Sequence, residues 1–199
     1  MKKERFEWAR SWCDLADENN LPRILLIGDS ITEGYQDLVR KELKGICYVD
    51  YFATSYAVDC KIYNTLVRTL VADSDYKIIH FNHGLHGKHM TKRAYQKGIT
   101  KLLDFIKEKS KVILASSTQI RMQNNKEVDI SWENKVKERN EVLADYAIKH
   151  DLPINDLYTI SINMNQSKRA PDGAHYFEDG YLEFSNCVVN SILKLLKDK

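Results

Sequence analysis

The sequence predicts an α/β fold with one parallel sheet covered by helices on both faces. Short apolar runs alternate along the whole chain with stretches whose apolar residues recur every three or four positions. Neither a repeat nor a linker interrupts this alternation, so the 199 residues read as a single domain. The first run, Ile24 to Ile27, stops at a glycine and leads directly into a helical pattern, as a buried strand does at the carboxyl edge of such a sheet.

Taken in order, Trp8, Trp12, Leu15 and Ala16 recur at helical spacing. They predict an amphipathic helix around residues 4–18, a helical extension within residues 1–20 that Asn19-Asn20-Leu21-Pro22 ends. The strand at Ile24 to Ile27 and the corner Gly28-Asp29-Ser30 follow. Tyr35, Leu38, Val39 and Leu43 mark a helix closing near Gly45. Ile46 to Phe52 reads as a strand, and Ile62, Leu66, Val67 and Leu70 as a helix. Tyr76 to Phe81 is the third strand. Tyr95, Ile99, Leu102, Leu103 and Ile106 form the clearest helical stripe, and Val112 to Ala115 the fourth strand. Ser116 to Asp129 is polar and aperiodic, hence a loop on the functional rim. A long helix carries Trp132, Val136, Leu143 and Ala147. Pro153-Ile154-Asn155 is a short fifth strand, residues 159–177 are mostly loop, and Leu182, Val188, Ile192 and Leu195 belong to a last helix.

Composition narrows the function. Lys+Arg 30 against Asp+Glu 28 leaves a net charge of +2, with no basic block, so no nucleic-acid partner is implied. No stretch approaches the roughly 18 apolar residues of a membrane span. Cys13, Cys47, Cys60 and Cys187 are scattered without a CxxC pair, which fits reduced thiols. The charged N-terminus lacks an apolar signal-peptide core, and a cytoplasmic location is expected.

Chemistry concentrates at two places. Ser30 follows a strand–glycine turn and opens a helix, so its hydroxyl stands beside unpaired backbone N–H groups. The same residues also read as an ordinary helix cap. Near the other end stands Ala170-Pro171-Asp172-Gly173-Ala174-His175. A carboxylate three residues before a histidine in a turn can meet its Nδ1–H and leave Nε2 for a serine. It also reads as a plain turn with a polar rim histidine. His80, His83, His86 and His89 recur every third residue. A strand end and a glycine-rich turn do not make such side chains converge, and no metal is expected. His80 reads as a buried, hydrogen-bonded histidine.

Gly28-Asp29-Ser30-Ile31 early and Asp172-Gly173-Ala174-His175 late resemble blocks I and V of the SGNH (GDSL-type) hydrolases. The resemblance spans nearly the whole chain. It implies a three-layer α/β/α sandwich with a five-stranded parallel sheet of flavodoxin-like order. It also implies a serine esterase acting without a cofactor on a small-molecule or carbohydrate ester, often an O-acetyl group. Ser30 would be the nucleophile, His175 the base and Asp172 its orienting carboxylate. The expected oxyanion donors are the backbone N–H of Ser30, a backbone N–H at Ser55 and the amide of Asn82. Two departures stand out. Phe52 to Asp59 lacks the glycine of the second block, and Asn82-His83-Gly84-Leu85-His86 replaces the Gly-x-Asn-Asp of the third. Asp29 is expected to order the corner at the substrate-binding rim, where Gly84, His86 and Arg121 join it. Trp132 and Tyr176 are candidates to stack on a sugar, with core packing favoured for Trp132. The alternatives are a thioesterase or lysophospholipase of the same family, and a non-catalytic carbohydrate-binding protein on this scaffold.

Overall fold

The computed structural model describes residues 2–123 and 126–197; positions 124 and 125 of the loop expected at 116–129 lie outside the described residues. The elements are β1 (Ala9–Trp12), β2 (Arg23–Gly28), α1 (Ser30–Glu42), β3 (Tyr48–Thr54), α2 (Lys61–Asp73), β4 (Tyr76–Asn82), α3 (Lys92–Lys107), β5 (Lys111–Ala115), α4 (Ile130–His150), β6 (Ile154–Asn155), α5 (Leu157–Asn163) and α6 (Glu178–Lys197). They form a 6-stranded sheet in the order β1-β3-β2-β4-β5-β6. β2 to β6 are parallel. Counted without β1, their order is the flavodoxin-like one.

Alternation along each strand splits the core in two. Ile24 and Leu26 of β2 pack with Tyr35 and Val39 of α1 and Phe184 and Val188 of α6. Leu25 and Ile27 point the other way, toward Tyr63 and Val67 of α2 and Tyr95, Ile99 and Leu102 of α3. Such burial of whole aliphatic and aromatic side chains, about 1.5–3 kcal/mol each, is what holds the layers together.

The N-terminal segment corrects the sequence reading. It is not a helix: residues 9–12 form a strand antiparallel to β3, with Ala9 opposite Thr54 and Trp12 opposite Tyr51. Its side chains are exposed throughout. The helical spacing of Trp8, Trp12, Leu15 and Ala16 therefore marks no buried face, and Leu15 takes a left-handed backbone (φ 44°) that no α-helix accommodates. The sheet thus has one strand more than the five expected. The loop expected at 159–177 also holds the end of α5 and a 3₁₀ turn at Gln166–Lys168.

Candidate active site

β2 ends at Gly28, where an added Cβ would lie 1.9 Å from Thr32 Oγ1; only a glycine lets α1 begin this close to the strand. Asp29 caps α1, its Oδ1 accepting the Ile31 N–H at 2.9 Å. Ser30 is the first residue of α1, so its own N–H has no acceptor within the helix.

The loop before α6 brings in the partners. Its two arms pair at Arg169 and Tyr176, and Ala170 N–H donates to the His175 carbonyl at 2.9 Å. Asp172 Oδ1 accepts the N–H groups of Ala174 and His175, both at 2.9 Å. Its Oδ2 stands 2.6 Å from His175 Nδ1, and His175 Nε2 stands 2.8 Å from Ser30 Oγ. Partial burial draws the Asp172 carboxyl upward. The two backbone N–H groups and the imidazole outweigh it and leave Asp172 below the usual carboxylate range. Gly173 makes the turn possible, with φ +82° and no room for a Cβ, which would meet the Arg121 carbonyl at 2.2 Å. Arg121 N–H donates to the Gly173 carbonyl at 2.8 Å, pinning the loop to the segment after β5.

Several expected roles need correction. The Ser55 N–H donates to the Trp8 carbonyl at 3.1 Å, continuing the β1–β3 pairing, and is not free for an oxyanion. Asn82 Nδ2 donates to the carbonyls of Ala115 and Ser116 at 3.0 and 3.1 Å, so both amide hydrogens are committed to the end of β5. Asp29 is 2 % exposed and turns no surface to a ligand. Burial pushes its carboxyl above the ordinary range against the pull of His86, the Ile31 N–H and His175. Gly84 is buried too; a Cβ there would meet Ser117 Oγ at 2.1 Å, so the glycine serves packing. The Arg121 guanidinium reaches the side chains of Gln119 and Gln166, bracing the rim beneath the His175 loop. Tyr176 is buried against Phe184 and Tyr181, whereas Trp132 is half-exposed under Lys88. Phe177, two residues past His175, is the exposed ring of that loop.

The four spaced histidines diverge. His80 is fully buried against Tyr35, both ring nitrogens without a hydrogen-bond partner, contrary to the bonded role expected, and burial pulls it down to about 3. His83 Nε2 turns to the Tyr56 carbonyl, His86 Nδ1 to Glu4 and His89 Nε2 to Asp59. No cluster of metal-ligating side chains forms among the described residues.

Two groups at the site escape a sequence reading. Glu4 lies 82 positions from His86 and reaches both His86 and the Gly87 N–H; its charged, aperiodic surroundings carry no signal. Arg139 does carry one. It falls on the buried stripe of α4 between Val136 and Leu143, where a guanidinium must find acceptors.

No family model matches the chain, and no curated protein matches it in sequence. Solved structures do. A member of the lipolytic G-D-S-L family from Veillonella parvula is 21% identical with a TM-score of 0.66, over 89% of this chain and 99% of that one. A lipase/acylhydrolase from Enterococcus faecalis is 20% identical with a TM-score of 0.67, over 86% and 95%. The acetylxylan esterase Axe2 from Geobacillus stearothermophilus is 15% identical with a TM-score of 0.69, over 89% and 95%. The chain has the fold of the SGNH (GDSL-type) hydrolases.

Proposed function

We propose that this protein is a serine esterase that removes short acyl groups, chiefly O-acetyl, from a carbohydrate. The observation that carries the reading is the line Asp172 Oδ2–His175 Nδ1, His175 Nε2–Ser30 Oγ, at 2.6 and 2.8 Å. A hydroxyl alone is a weak nucleophile; an imidazole at this distance accepts its proton as Oγ adds to the ester carbonyl. The carbonyl π pair moves to oxygen, and the Ser30 N–H at the start of α1 meets the charge that forms there. Collapse expels the alcohol, which takes the proton from His175. Water then repeats the sequence on the acyl-serine. The acetyl preference draws on the likeness to an acetylxylan esterase and on the exposed ring of Phe177, two residues past His175 in the same loop.

A fluorophosphonate is expected to add once to the wild-type protein, on Ser30, and not at all to Ser30→Ala. Aryl ester turnover is expected to be fastest at C2 and to fall by C8. Absence of the adduct from folded protein removes the esterase reading in favour of a binding protein, and a rate maximum at C8 or longer moves the substrate to thioesters or lysophospholipids.

Gly173 offers a separate check on loop posture. Gly173→Ala forces a Cβ onto the Arg121 carbonyl in a left-handed backbone, so the Asp172–His175 turn must shift. A displacement near 1 Å is worth about 10²-fold in kcat. Because the loop lies at the surface, circular dichroism is expected to stay that of the wild type while turnover falls.

A further inference from the structure

With Ser55 and Asn82 committed elsewhere, only the Ser30 N–H remains of the three expected oxyanion donors. The strand order places β2 between β3 and β4, and ligands on open parallel sheets sit beyond the carboxyl ends where the order reverses. Ile27 of β2 pairs with Phe81 of β4, so the loop after β4 leaves the sheet beside the Ser30 corner. This loop is gripped from two sides. From α4, Arg139 donates to the carbonyls of Gly84, His86 and Gly87 at 2.6, 2.8 and 2.6 Å. From the N-terminal segment, Glu4 Oε1 accepts the Gly87 N–H at 3.0 Å and Oε2 lies 3.1 Å from His86 Nδ1. The imidazole between them feels the charge of Asp29, which also feels that of His175. The loop after β4 that carries His86 thus stands at the same edge of the sheet as the Ser30 corner, and among the described residues no protein group bonds His86 Nε2.

We propose that His86, bound through Nδ1 to Glu4, is a catalytic residue whose Nε2–H donates to the oxyanion formed when Ser30 attacks. This rests on the esterase reading above. Glu4 is a positioning residue acting through His86. Its carboxylate accepts from Nδ1–H. A neutral ring protonated at Nδ1 has only a lone pair on Nε2 and donates nothing to substrate; the cation donates from both nitrogens. No proton passes to the oxyanion: it accepts hydrogen bonds from His86 and the Ser30 N–H while the serine proton sits on His175.

The surroundings favour the cation. Glu4 and Glu7 face His86 from the N-terminal segment, Asp29 from the β2–α1 corner, His83 from its own loop and Arg139 from α4. Burial draws the imidazolium down, but the Glu4 bond and the charges of Asp29, Glu4 and Glu7 outweigh it and hold His86 above the ordinary histidine value. The sign follows. The donor is present below that raised value and lost as pH climbs through it, so His86 sets an alkaline limb on kcat/KM.

The test is kcat/KM against pH, on a short-chain aryl ester, for the full chain and three variants. His86→Ala is expected to lose about 10²–10³-fold in kcat, as removal of one oxyanion donor does. His86→Gln, whose amide donates without titrating, is expected to recover at least tenfold of that loss and to abolish the alkaline limb. Glu4→Gln removes one charge from an exposed segment and is expected to move the limb down by about one pH unit or more. Ser30→Ala is run alongside. If it is inactive while His86→Ala stays within threefold of wild type, or Glu4→Gln leaves the limb in place, the His86 assignment falls and the esterase reading stands. If Ser30→Ala is fully active, both fall.

Discussion

Ser30→Ala is expected to lower kcat on a short-chain ester by about 10⁶-fold, His175→Ala to cost as much, and the double variant to cost no more than either alone. The three groups act as one device. Without the imidazole the hydroxyl keeps its proton, and without the hydroxyl the imidazole has nothing to deprotonate. Asp172→Asn separates orientation from folding. The asparagine oxygen can still accept the N–H groups of Ala174 and His175, so the turn survives. The other atom becomes an NH₂ that donates to His175 Nδ1, and the ring must then carry its proton on Nε2, facing Ser30. A donor at that position accepts nothing. The loss is expected to approach about 10⁴-fold, lessened because Asp172 is half exposed and water competes for Nδ1. The low value of the Asp172 carboxyl keeps it ionised through the neutral range, so it contributes no limb to the pH profile there. Single-turnover rates measured with unchanged circular dichroism check all of this. A loss under tenfold for Asp172→Asn means that something other than the carboxylate sets the tautomer.

The parallel strands and their crossover helices could be read from the chain because burial on both faces writes itself into uninterrupted apolar runs such as Ile24-Leu25-Leu26-Ile27. β1 could not. An edge strand held by main-chain pairing leaves its side chains in water, and their spacing then reports nothing about the backbone. The residue that leads into that strand, Trp8, decided the fate of Ser55 by taking up its N–H. Asp172 and His175 stood out because their geometry is local, three residues within one turn. Asn82 misled because its side-chain type suits the role, while the register of β4 on β5 sets its amide against the Ala115 and Ser116 carbonyls. Glu4 and His86 meet only through the N-terminal segment crossing the rim, a contact between distant positions that no local pattern encodes.

Arg139→Met is expected to destabilise the protein by about 3–5 kcal/mol, lowering the melting temperature by about 10 °C for a chain of this size. Arg139 is 2 % exposed, lies over the Tyr95 ring, and makes three hydrogen bonds, all to backbone carbonyls. Replacing a buried ion pair by apolar groups is often nearly neutral, since both charges leave together and their desolvation is relieved. Here the acceptors are main chain and cannot leave. Methionine relieves the guanidinium but strands the carbonyls of Gly84, His86 and Gly87 in a buried setting, and each unsatisfied group costs about 1–3 kcal/mol. The stranded groups win. Arg139→Lys is expected to restore less than half, because one ammonium cannot match the fork that spans three acceptors. Urea unfolding monitored by tryptophan fluorescence gives the free energies. A change below about 1 kcal/mol in Arg139→Met, inside the ordinary range for surface substitutions, would mean that the loop after β4 is held by Glu4 and its own packing, and that the guanidinium merely fills space.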